Sequence, residues 1–287
     1  MIWLIGNKGM LGREVEALLQ KKELAYIATD QEIDITNLED LQEFSADKPI
    51  SWIINCAAYT AVDKAEDEPE LAFKINAAGP RNIAEVAKNR GAKLIHISTD
   101  YVFDGTKAGA YLETDLPHPL GVYGQSKYQG EVNIAEVFDE YFIIRSAWLY
   151  GKQGNNFVFT MLRLFKERDI VRVVGDQYGT PTYAPDLAAL LLDIVRLNSS
   201  AYGVYHFTNE GKISWFDFAC EIYRLAKDQK LLPKEVVIQR IATEDYPTKT
   251  KRPQNSYLSK EKIIKTFDIS PRNWEDALNE FMLTIIP

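Results

Sequence analysis

The chain has 287 residues, of which 46% are hydrophobic and 26% charged, and its formal net charge is -8. This length buries a sizeable core in one two-lobed molecule, and the acidic balance argues against non-specific nucleic-acid binding, which needs Lys and Arg to neutralise phosphates. Cys56 and Cys220 read as free thiols rather than a disulfide. No apolar run reaches membrane-spanning length and no basic, cleavable leader precedes the first strand, so a cytoplasmic location is expected.

In chain order, the apolar runs Ile2–Ile5, Ala25–Thr29, Trp52–Cys56, Leu94–Ile97 and Phe142–Ile144 read as buried parallel strands. Between them, Leu11–Leu19, Leu38–Phe44, Leu71–Lys88 and Lys127–Phe138 carry a helical period. The alternation predicts an α/β fold over 1–151: a Rossmann-like, doubly wound parallel sheet that binds ligands beyond the carboxyl ends of its strands. Gly6, Asp30, Ala57–Thr60, Ser98–Tyr101 and Ser146–Tyr150 all fall at those ends.

Beyond Gly151 the alternation lapses. A helix over Asn155–Arg168, a strand at Val171–Val174 and a helix over Pro185–Leu197 are expected. They are followed by a strand at Tyr205–Phe207, a helix over Ser214–Lys227, a strand near Val236–Ile241 and two short terminal helices. The reading is a smaller mixed α/β lobe built from 152–179 and 199–287, with a segment near 180–198 returning to the first domain. The irregular stretch Ala242–Ser256 is long enough to line a cleft.

The strand Ile2–Ile5 runs into Gly6, Gly9, Met10, Leu11 and Gly12, and then into a helix. Closely spaced glycines there let backbone N–H groups and the positive helix end approach a pyrophosphate. Asp30, at the end of the second expected strand, accepts bonds from ribose hydroxyls and repels a 2′-phosphate. Thr29-Asp30-Gln31-Glu32 contains no Lys or Arg, which favours NADH over NADPH.

Tyr123 and Lys127 are one helical turn apart and share a face. At about 4 Å and an effective dielectric near 20, an ammonium favours a phenolate by about 4 kcal/mol, or roughly three pKa units. That brings a tyrosine into the range where a general acid works at neutral pH. A hydroxyl at the end of the preceding strand completes the set, with Thr99 favoured over Ser98. His96, His118 and His206 are scattered through unrelated segments, so no catalytic metal is expected.

Five strings, Gly6–Gly12, Asn55–Asp63, Ser98–Gly105, Tyr123–Lys127 and Arg145–Gly151, resemble the extended short-chain dehydrogenase/reductase superfamily, and within it the dTDP-4-dehydrorhamnose reductases. Gly175–Thr182 and Arg252-Pro253 carry the resemblance through the second lobe. The resemblance implies hydride delivery from NADH or NADPH to C4 of a dTDP-4-keto-6-deoxyhexose, with dTDP-L-rhamnose for cell-surface polysaccharide as product. It implies Tyr123 as proton donor, Lys127 holding the nicotinamide ribose, and Thr99 tuning Tyr123. It places Met10, Leu11, Asp30, Asp34, Ile35, Ala58, Tyr59 and Thr60 at the cofactor. Thr99, Asp100 and Trp148 are placed at the sugar nucleotide. Arg252 is either a diphosphate ligand or a surface charge. The implied partners are a small-molecule sugar nucleotide and a second copy of the chain, with Glu14 at a Mg²⁺ bridging a dimer.

Two rival classes share this scaffold. A dehydratase of this superfamily carries an Asp-Glu pair after the Thr, whereas Thr99 is followed by Asp100-Tyr101; an epimerase or another 4-keto sugar-nucleotide reductase lacks that objection. A non-catalytic regulatory subunit does not require the Thr99, Tyr123 and Lys127 set.

Overall fold

The computed structural model describes residues 1–285. The strands β1 (Ile2–Ile5), β2 (Tyr26–Thr29), β3 (Trp52–Asn55), β4 (Lys93–Thr99) and β5 (Tyr141–Ser146) form as the apolar runs require. They alternate with α1 (Met10–Lys21), α2 (Leu38–Ser45), α3 (Val62–Ala65), α4 (Pro69–Phe73), α5 (Gly79–Arg90) and α6 (Val122–Val137). The second half contains β6 (Leu149–Tyr150), α7 (Phe157–Glu167), β7 (Ile170–Val174), β8 (Tyr178–Gly179), β9 (Thr182–Tyr183) and α8 (Ala184–Arg196). These precede β10 (Gly203–His206), β11 (Ile213–Ser214), α9 (Trp215–Asp228), β12 (Val237–Ile241), α10 (Glu261–Phe267) and α11 (Trp274–Thr284).

Among the described residues the main sheet has six strands in the order β10-β5-β4-β3-β1-β2, with every neighbouring pair parallel. Helices cover both faces, and each face has its own apolar core. One contains Leu4, Val15, Ile54, Ile95 and Leu191; the other contains Trp3, Ile5, Ile53, Ile83 and Leu94. Each such side chain removed from water contributes about 1.5–3 kcal/mol. This two-sided burial explains why the strands read as continuous apolar runs instead of alternating ones.

Three local features depart from the sequence reading. The strand expected in the second lobe near Tyr205–Phe207 is β10, the edge of the main sheet, paired with β5 from Gly203 opposite Phe142 to His206 opposite Arg145. The helix α10 also belongs there, because Ile263 and Phe267 lie in the core beneath that sheet. The stretch expected as one helix over Leu71–Lys88 is instead α4 and α5 joined by a π-helical turn at Lys74–Ala78. Pro80 has no N–H for the Asn76 carbonyl, and the wider turn absorbs the missing bond.

The second lobe is built around α7, α9 and α11, with Val158, Phe165, Phe218, Ile222 and Phe281 at its centre. Its two-stranded pair β7–β12 is parallel, and β11 pairs antiparallel with β8. No helix among the described residues is long and apolar enough to cross a membrane.

Candidate active site

A cleft of about 560 Å³ opens beyond the carboxyl ends of β1, β2 and β3. Gly6, Gly9, Asp30, Asp34, Ile35 and Ala58 line it, as the sequence reading expects of a dinucleotide site. The N-terminus of α1 faces this loop and has no side-chain cap at Gly9. Its first N–H groups are therefore free for an anion. A Cβ on Gly12 would meet the Gly6 carbonyl oxygen at 2.0 Å, so only glycine lets the helix pack this tightly under the loop. Met10 lies against Gly151, and Thr60 is exposed in the loop after β3. These features fit a bound dinucleotide.

At the far end of the cleft, Asp30 accepts from the Lys8 backbone N–H at 3.1 Å and from Gln31 N–H at 2.9 Å. Lys8 Nζ pairs with Glu32 at 3.0 Å. A cation therefore sits beside Asp30, although the sequence around Asp30 contains none; it comes from the glycine loop of the neighbouring strand. Asp34 is engaged by the Thr36 N–H and hydroxyl at 2.9 and 2.7 Å, which hold its carboxyl below the usual range. The Ile35 side chain packs onto Gly79.

Tyr123 lies in the first turn of α6, and Thr99 and Asp100 at the end of β4 face it. A Cβ on Gly124 would meet the Tyr101 carbonyl oxygen at 2.2 Å, so a glycine after Tyr123 is what presses α6 onto the end of β4. Tyr101 meets the Tyr123 ring edge-on, with centroids 5.5 Å apart. Thr99 donates to Asp100 at 3.0 Å and accepts from the Tyr101 N–H at 3.2 Å. The other Asp100 carboxylate oxygen is buried without a hydrogen bond of good geometry, and the nearby Ser256 hydroxyl donates to the Tyr178 carbonyl. Burial pushes the Asp100 pKa up to about 6, with the Ser256 and Thr99 hydroxyls holding it down only in part.

Lys127 is buried one turn further along α6. Its Nζ donates to the Ile97 carbonyl at 2.6 Å and lies 3.2 Å from His96 Nε2. Burial lowers its pKa to about 8, opposed by Glu131 and Cys56. Here the structure departs from the sequence expectation. Burial raises the Tyr123 phenol above its ordinary value, the Thr99 hydroxyl opposes this, and Asp100 and Tyr101 add to it. The lysine amine is turned toward β4, where it bonds the Ile97 carbonyl.

Trp148 is half-buried with a left-handed φ of 48°, a costly conformation for a bulky residue. It stacks on Trp215 with ring centroids 3.5 Å apart and planes 11° apart. Arg252 donates to Tyr101 Oη at 2.9 Å and to Asp63 at 2.5 Å. Lys249 pairs with Asp67 at 2.6 Å on the same face. The irregular loop of the second lobe is thereby fastened onto α3 and Tyr101, and Arg252 is an interlobe tie in this state, not a free surface charge. Glu14 is half-buried and desolvated, which raises its pKa against Lys152. Among the described residues no group of three or more His, Cys, Asp or Glu is placed to hold a metal ion.

Sequence reasoning missed four contributors: Lys8, Asn76, His96 and Trp215. Asn76, in the π-helical turn, accepts from the Tyr59 N–H at 2.8 Å and donates to the Tyr59 carbonyl at 3.0 Å and Ser126 at 3.1 Å. It thereby ties the loop holding Tyr59 to α6. The irregularity of Gly79-Pro80 in an otherwise helical run was the available signal. Trp215 follows a Ser/Asp capping box at Ser214 and Asp217, which marks only the start of its helix.

The family model described as "RmlD substrate binding domain" matches residues 1–285. The chain is 44% identical over 281 residues to the dTDP-4-dehydrorhamnose reductase of Aggregatibacter actinomycetemcomitans, covering 96% of each chain. Among solved structures it resembles the dTDP-4-dehydrorhamnose reductase of Clostridium acetobutylicum with 42% identity, TM-score 0.93 and 99% of each chain covered. It also resembles that of Bacillus anthracis in complex with NADP, with 39% identity, TM-score 0.92, and coverage of 99% of this chain and 98% of the other. The chain belongs to the dTDP-4-dehydrorhamnose reductase family.

Proposed function

We propose that this chain reduces the C4 ketone of dTDP-4-dehydro-L-rhamnose to dTDP-L-rhamnose, in the cytoplasm, on the route to cell-surface polysaccharide. One observation carries the reading. Tyr123, a buried phenol, stands with Thr99 and Asp100 at the end of β4 while a dinucleotide cleft opens beyond neighbouring strands of the same sheet. When bound there, reduced nicotinamide supplies the hydride. Tyr123 supplies the proton, and an alkoxide is a stronger base than a phenolate, so transfer runs downhill even from a phenol of raised pKa. The unpartnered Asp100 oxygen is an acceptor set for a sugar hydroxyl, since a buried polar atom left unpaired costs about 1–3 kcal/mol. Trp148 offers an apolar face to the sugar. Lys127, once drawn from β4, donates to the nicotinamide ribose.

A dehydratase is disfavoured by Tyr101, which occupies the place of the second carboxylate and bonds Arg252. The homodimer, with Glu14 at a bridging Mg²⁺, belongs to the same proposal. Incubation with dTDP-4-dehydro-L-rhamnose should consume one reduced cofactor per ketone lost, with dTDP-L-rhamnose appearing in the NMR spectrum. Epimerised ketone without net cofactor consumption would refute the reading.

Lys8 makes NADPH a competent donor, because it can exchange Glu32 for a 2′-phosphate. Lys8→Ala is expected to raise KM for NADPH about tenfold, with KM for NADH nearly unchanged. Parallel steady-state titrations check this; equal shifts for both cofactors would remove Lys8 from phosphate recognition.

A further inference from the structure

The hydrogen bonds around His96 leave one consistent assignment of protons. The Ala57 N–H donates to Asn55 Oδ1 at 3.0 Å, so the Asn55 amide nitrogen must be the group facing His96 Nδ1 at 3.0 Å. His96 Nδ1 is then an acceptor, and the ring proton sits on Nε2. Nε2–H points at Lys127 Nζ, 3.2 Å away. An ammonium would set donor against donor there, whereas an uncharged amine has a lone pair to accept with and still donates to the Ile97 carbonyl.

We propose that His96, locked in its Nε2–H tautomer by Asn55, is a positioning residue that disfavours the ammonium form of Lys127 and keeps its side chain turned toward β4 until a ligand draws it out. The inference rests on the reading of Lys127 as the partner of the proton donor, and it adds a control on that partner. In the free protein Tyr123 is then a dormant acid, because the amine that would favour its phenolate is directed at His96 and the Ile97 carbonyl instead. Leaving His96 removes that opposition and favours the ammonium one helical turn from Tyr123.

The surroundings agree with this state. Burial holds Lys127 down to about 8 and His96 well below its ordinary value. Glu131, one turn further along α6, acts in the opposite direction on Lys127, but Arg145 of β5 engages it at 2.6 Å and draws off its charge. From the end of β3, the Cys56 thiol is pushed up to about 12 by burial and stays uncharged. Tyr123, on the other side along α6, keeps its proton. Among the described residues, Glu131 is the carboxylate that raises the Lys127 value.

Protein labelled with ¹³C at lysine Cε tests this by NMR titration without cofactor or substrate, and Lys127→Met identifies the signal. The Lys127 resonance should titrate near pH 8 in the unaltered chain. In His96→Gln, whose amide oxygen can accept from an ammonium, it should move up by about one to two pH units. Should His96→Gln fail to fold, Asn55→Ala frees the ring tautomer and should give the same upward shift. A Lys127 resonance that titrates with the surface lysines in the unaltered chain would overturn the proposal. So would one that stays in place when His96 or Asn55 is replaced. Because no turnover enters this readout, its failure leaves the reductase reading standing, and failure of the reductase assay leaves the tautomer lock to be judged separately.

Discussion

Tyr123→Phe is expected to lower kcat by about 10²–10⁴, the usual contribution of a positioned general acid, while cofactor affinity stays within a fewfold. The substitution removes only the hydroxyl. The ring remains packed with Ala65, Ala72 and Tyr101, which form a small apolar cluster of their own, so the fold has no reason to change. The other phenol beside Tyr123 is already engaged. The Tyr101 hydroxyl accepts from Arg252, and burial pushes its pKa up to about 12. Single-turnover kinetics with saturating reduced cofactor separate the chemical step from binding. A variant that reduces ketone at the parent rate would remove Tyr123 from proton donation.

The second large effect concerns stability. Glu131 and Arg145 form an ion pair with both side chains only 4% exposed. The pair is bidentate, with Arg145 Nε donating to Oε1 at 3.0 Å and Nη2 donating to Oε2 at 2.6 Å. Ser98 also donates to Glu131, and His206 Nε2 lies 3.5 Å from the guanidinium. Glu131→Ala leaves a buried guanidinium uncompensated and is expected to cost about 3–5 kcal/mol. That corresponds to a fall in Tm of roughly 10 °C for a chain of this size. Combining Glu131→Leu with Arg145→Met should recover most of the loss, since an apolar pair of similar volume avoids burying charge. Calorimetric or urea unfolding of the three proteins checks this. A single variant within about 1 kcal/mol of the parent would show that solvent reaches the guanidinium.

The parallel sheet was legible because both its faces are buried, which leaves unbroken apolar runs such as Ile2–Ile5, with helices between them. The glycine loop and the Tyr123–Lys127 spacing were legible because each depends on residues close in sequence. What depends on which strands lie side by side was not. Asn55 and His96 are register partners in β3 and β4, yet in sequence His96 looks like one of three unrelated histidines. Lys8 reaches Glu32 and Asp30 only because β1 and β2 are neighbours. The strand β10 lies in a mixed segment, and only its pairing with β5 reveals that it completes the main sheet. The direction of the Lys127 side chain was likewise hidden: helical spacing puts Lys127 and Tyr123 on one face, but the Ile97 carbonyl and His96 decide where the amine points.

A crystal structure of the complex with NADP⁺ and dTDP-L-rhamnose bears most directly on the central claim, that Tyr123 delivers the proton. Its hydroxyl should lie about 2.6–3.2 Å from the C4 oxygen of the sugar, with Lys127 released from His96 and bonded to the ribose. A C4 oxygen held by another donor, with Tyr123 beyond reach and Lys127 still on the Ile97 carbonyl, would contradict it.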